Sequence, residues 1–231
     1  MKGFRGGLPY LCPAALSLGM CFTLGISICA ADIPGYPESV EGYDSRELAK
    51  LPGFCIYTLA FRAKLPAGNN PSEIERLTRE MGPSFNNMHH YCWGLMKTNR
   101  AIFLARTQQD RRFYLGSAIN EFDYVIQRAP PDFVLLPEIL TRKGENLIRL
   151  DRGPEGMSEL RRAIQIKADY WPTYAAMSDY YKENGEPAKA REWLEKGLTA
   201  APDTRALTRR LAELDSAKSK RKNDPQPRVD R

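Results

Sequence analysis

The sequence predicts an all-α protein: a right-handed solenoid of helical hairpins, about three units long, with a helical cap before it and a capping helix after it. Three observations predict this. Leu140, Gly144, Leu147, Leu160, Ala163 and Ala168 align with Tyr174, Ser178, Tyr181, Leu194, Gly197 and Pro202 at one constant offset of 34 residues. Gly156 and Ala190 share that offset, and Lys143 against Met177 is its weak member. Within each copy the apolar residues fall at helical spacing on one face. Small residues at 178, 190 and 197 let two helices approach closely, and Asn184-Gly185-Glu186-Pro187 supplies a helix stop followed by a helix start.

From the beginning, the chain reads first as an export signal. Lys2 and Arg5 precede an apolar stretch, residues 8–28, that carries no charge. Small residues Cys29, Ala30 and Ala31 follow, which is the order of features in a secretory signal peptide cleaved after Ala31. An uncleaved inner-membrane anchor is the other reading, because a span needs about 20 residues. Ile28 before Cys29 and Met20 before Cys21 argue against a lipoprotein signal, which carries a small residue there. Residues 32–85 are expected to form an extension and cap. Pro34, Gly35, Pro37 and Gly42 make a loop; a helix starts at Asp44 and breaks at Pro52 and Gly53; residues 54–61 are core. Ser72 with Glu75 has the pattern of a capping box, and Gly82–Pro83 ends the helix that it opens.

Helical stretches are expected over residues 86–107 and 111–128. Ala118, Phe122, Val125 and Pro130 repeat the second-helix pattern of the later copies, with the join stretched to a 38-residue offset. The first helix of that copy carries His90, Trp93 and Gly94. Beyond Pro202, Asp203 or Thr204 can cap a last helix with Leu207, Leu211 and Leu214 on one face. The repeat domain thus spans 86–215, and 216–231 is expected to be a disordered basic tail.

These residues resemble the tetratricopeptide repeat family, whose unit is a 34-residue helix–turn–helix. Tyr174, Met177, Ser178, Tyr181, Ala190, Leu194, Gly197 and Pro202 carry the resemblance in the most complete copy. The stretches 88–95 (MHHYCWGL) and 126–132 (IQRAPPD) also resemble exported bacterial members of that family, a likeness that implies no activity. The resemblance implies a scaffold or adaptor that holds a partner peptide or helix in a concave groove lined by the first helices. The family's groove positions fall on Glu138, Thr141, Glu145, Ile148 and Arg149, and on Pro172, Ala175, Asp179, Lys182 and Glu183.

The net charge of +6 does not argue for nucleic acid. Lys2 and Arg5 supply part of it. Lys218, Lys220, Arg221, Lys222, Arg228 and Arg231 against Asp224 and Asp230 supply the rest, so the body sums to zero. A nucleic-acid face would show as a basic patch on the folded domain. The N-terminal segment and the basic tail remain as means of peripheral membrane contact.

Four residues invite a chemical reading: Cys55, His89, His90 and Cys92 are types that ligate zinc. On a helix, His90 points about 100° from His89, and no further Cys or His outside residues 1–31 completes a standard site. A Cys92 nucleophile beside a histidine faces the same geometric objection. The third reading is a disulfide between Cys55 and Cys92, which an exported protein allows. Redox Cys-x-x-Cys, haem-attachment, phosphate-loop and Gly-x-Ser-x-Gly motifs are all missing from the sequence. The expectation is therefore a protein without catalytic residues, metal or cofactor, located in the periplasm.

Overall fold

The computed structural model describes residues 45–223, with side chains to Ser216; the expected signal, residues 1–31, lies outside this range. All regular structure among the described residues is helical. A cap comes first. Helix α1 (Ser45–Leu48), a 3-10 turn (Gly53–Tyr57), α2 (Leu59–Arg62), a second 3-10 turn (Pro66–Gly68), α3 (Pro71–Met81) and a third 3-10 segment (Gly82–Asn87) make it up. Three hairpins follow: α4 (Met88–Phe103) with α5 (Gln108–Ile126), α6 (Leu136–Arg149) with α7 (Gly153–Ile166), and α8 (Trp171–Glu183) with α9 (Pro187–Ala200). Helix α10 (Arg205–Asn223) closes the stack.

Local chemistry fixes most helix ends. Helix α3 starts two residues earlier than a Ser72 cap would place it. Pro71 occupies the first turn, where its missing N–H costs nothing, so Asn70 is the cap, and its side chain accepts from the Glu73 N–H. Ser72 instead donates to Asn70 Oδ1 at 2.7 Å. Helix α5 begins ahead of Arg111 because Thr107 and Asp110 form a reciprocal capping box. Helix α10 continues past residue 215 into the segment expected to be disordered. Nothing between Ser216 and Asn223 breaks a helix, and the first proline after it is Pro225.

The hairpin turns repeat as the sequence does. Asp151 between α6 and α7 has φ of +63°, and Gly185 between α8 and α9 has φ of +75°. The two positions are one repeat apart, so the same left-handed residue closes both turns. Within the hairpins, close backbone approach demands small residues. A Cβ on Gly156 would stand 2.6 Å from the Gly144 carbonyl oxygen, and one on Gly94 would stand 2.4 Å from Phe122 Cε1. Phe122, Leu160 and Leu194, equivalent in the three copies, are all fully buried.

Two devices fasten the cap to the first hairpin. Cys55 and Cys92 are joined by a disulfide, and both are buried. Glu47 of α1 accepts from Arg100 of α4, Nε to Oε1 at 2.8 Å, and both side chains are buried. Phe61 of α2 and Leu77 of α3 add apolar contact to the same core as Met88, Tyr91 and Met96.

Successive first helices touch directly, whereas second helices meet each other far less, which puts α4, α6 and α8 on the inner side of the stack. Buried polar pairs set their register. Asn146 on α6 donates to Thr98 Oγ1 on α4 at 2.7 Å, and Thr141 on α6 meets Thr173 on α8 at 2.7 Å. Each buried hydroxyl or amide is thereby satisfied, without which it would cost about 1–3 kcal/mol.

Candidate interaction face

Along α6, Glu138, Arg142, Glu145 and Arg149 recur at three- and four-residue steps, which places them on one helix face. They form a ladder of alternating charge. Arg142 stands 3.7 Å from Glu138 and 3.5 Å from Glu145, and Arg149 stands 3.9 Å from Glu145. Neighbouring elements add polar contacts to this face. Tyr91 on α4 donates its phenol hydrogen to Glu138 at 2.7 Å. Arg210 on α10 reaches Asp179 on α8 at 3.0 Å. Burial pushes the Tyr91 phenol well above its ordinary pKa, and the Glu138 charge adds to the effect. Tyr170, just before α8, is raised for the same reasons, burial first. Burial works against the Arg142 charge, but Glu145, Tyr91 and Glu138 more than offset it and hold the guanidinium above its usual value. Its Nε is buried without a hydrogen-bond partner.

Of the ten expected groove residues, eight keep some exposure. Glu138, Glu145, Ile148, Arg149, Pro172 and Asp179 are half-buried, and Lys182 and Glu183 are exposed. Thr141 and Ala175 offer no open surface. Thr141 is sealed against Thr173, and Ala175 belongs to the core of Ala190, Leu194, Leu207 and Leu214. Ile148 leans partly into the core of Met157, Leu160 and Met177. Three residues of this face escaped the sequence reading: Tyr91, Arg142 and Arg210. Arg142 was legible by its helical spacing from Glu138 and Glu145. Tyr91 and Arg210 act across helices, and no local pattern announces them.

The Cys55–His89–His90–Cys92 constellation resolves into two separate arrangements. The disulfide consumes both thiols, so neither cysteine has a thiolate for a metal or for nucleophilic attack. The histidine rings do not diverge as ideal helix geometry suggests: their centroids are 4.3 Å apart, and each meets Trp93 edge-on. His90 Nδ1 lies 2.6 Å from Glu121 on α5, and its ring stacks on Tyr124 at 3.7 Å. Glu121 also accepts from Lys97 at 2.8 Å. His89 is pushed below its ordinary pKa, by burial first and then by His90. His90 therefore serves the packing of α4 on α5, whereas His89 packs against His90 and Trp93 of its own helix.

The tetratricopeptide repeat family matches residues 171–214, which take in α8, α9 and the first half of α10. The human protein O-mannosyl-transferase TMTC1 is 25% identical over 181 residues, 78% of this chain and 19% of its own length. The chain thus spans about a fifth of that relative. Among solved structures, the first tetratricopeptide domain of Spaghetti (RPAP3), bound to an HSP90 peptide, covers 55% of this chain and 96% of its own at 16% identity and a TM-score of 0.39. The matched residues 171–214 thus form a tetratricopeptide repeat, and the left-handed turn residue one repeat earlier shows the same hairpin form in α6 and α7.

Proposed function

We propose that the chain is a non-enzymatic scaffold or adaptor of the bacterial cell envelope, which holds a peptide or helix of a partner protein against the inner face of α4, α6 and α8. The ladder of Glu138, Arg142, Glu145 and Arg149 carries this reading. Its charges are paired yet half-exposed, so a partner of mixed charge can exchange one salt bridge for another without stranding an ion. Lys182 and Glu183 extend the face with exposed charges of both signs. The buried Cys55–Cys92 disulfide supports an oxidising compartment, since such bonds persist outside the cytosol. The export-like residues 1–31 support the same location.

The test is a crosslinking pull-down from envelope extract with the full chain as bait. Glu145→Lys and Lys182→Glu are compared with the parent after thermal melts show equal folding. Loss of the recovered partner with either reversal supports the face. Equal recovery with both would sink it. Mass spectrometry of the recovered chain reads export separately, because cleavage after Ala31 leaves Asp32 as the first residue.

A further inference from the structure

We propose a second contact surface, independent of the inner face: the tip of the α4–α5 hairpin docks on an anionic bilayer. The tip exposes large apolar groups. Ile102 and Phe103, the last residues of α4, are 43% and 60% exposed, and Phe113, in the second turn of α5, is 46% exposed. Isolated surface apolar residues are ordinary. Here a run of cations surrounds them. Lys50, two residues beyond α1, lies over the Phe103 ring at 4.2 Å to the centroid. Arg106, in the connection, is exposed. Arg112 is exposed beside Phe113 and stands 3.9 Å from Asp151. Asp110 is the acid of this stretch, and it is occupied in capping α5.

Aromatic groups amid Lys and Arg make the composition of an interfacial anchor. The rings enter the headgroup–acyl boundary by about 5–10 Å, while the cations meet lipid phosphates. Phe113 lies five residues into α5, roughly 8 Å along the axis, so an insertion of that depth takes in the whole set. Helix α1 packs beside the end of α4, which brings Lys50 to this tip.

The experiment uses the full chain in vesicles, because residues 8–28 could carry the protein to lipid whatever the tip does. Phe103→Trp is reconstituted into phosphatidylcholine vesicles with or without a quarter phosphatidylglycerol, with brominated lipid as the quencher. The parent, which has three tryptophans, supplies the background. Thr199→Trp, on exposed α9, is the control. All variants are first checked for an unchanged thermal melt. Docking predicts quenching of position 103 in the anionic vesicles, little at position 199, and a several-fold loss when Arg106→Glu and Arg112→Glu are added. Equal quenching at 103 and 199 overturns the proposal. So does quenching that ignores both phosphatidylglycerol and the arginine reversals. A position 103 that is unquenched by lipid, yet shielded from acrylamide as protein concentration rises, overturns it in favour of contact between two copies.

Discussion

Asp151 pays a backbone penalty that Gly185 does not. Both sit at φ near +60° to +75° in equivalent turns, and only glycine occupies that region without a Cβ clash. The expected result of Asp151→Gly is a gain of about 0.5–1 kcal/mol, seen as a higher urea midpoint with an unchanged slope. An unchanged midpoint would mean that Asp151 gains as much from its side chain as it loses in the backbone. His89 gives a prediction of the opposite kind. Its pKa is lowered by burial, so the folded protein resists protonating it. The associated stability is present above the unfolded value of about 6.5. It is lost as pH falls from there through the lowered folded value. His89→Gln should therefore flatten the fall in melting temperature between neutral pH and pH 5. Parallel curves for parent and variant would refute the assignment.

At the scale of elements, legibility followed distance along the chain. The later hairpins were readable because their small and apolar positions recur at one offset, and an offset survives any single substitution. Gly144 and Gly156 could be marked as close-approach positions before their carbonyls were seen to interlock. The start of α5 was legible in the Thr107–Asp110 pair, whose reciprocal cap places it ahead of the expected Arg111. The cap of residues 45–87 was readable only as short helices and breaks. Glu47 and Arg100 lie 53 residues apart, and no periodicity relates them. The inner face was half legible: α6 showed its charged stripe, whereas burial of Thr141 and Ala175 depends on how closely α8 and α10 approach. Two glycines check this account of packing. Gly156→Ala drives a Cβ into the Gly144 carbonyl and should destabilise by about 1–3 kcal/mol. Gly116→Ala, on α5, meets no atom within 4 Å and should stabilise by up to about 1 kcal/mol. Equal effects in a denaturation series would contradict the interlocked hairpin.

For the whole molecule, a covalent link ties the cap to the stack. The disulfide closes a loop with a sequence separation of 37, for which chain-entropy reasoning gives about 3–4 kcal/mol. Cys55→Ser with Cys92→Ser should lower stability by that order, and protease sites in residues 56–87 should open first. Uniform cleavage along the chain would show that the cap owes its order to apolar packing alone. The hairpin farthest from it, α8 with α9, draws on its own core with α10 and should keep its helicity longest.

The same bond also decides how the protein bears a load. A chain pulled from its N-terminal end, as it would be if tethered there, transmits tension through Cys55 directly into Cys92 on α4. Helices α2 and α3 sit inside the closed ring and carry no tension. Stretched between its ends, the oxidised molecule should therefore be shorter at full extension than the reduced one by about 120 Å, the contour of the bypassed residues.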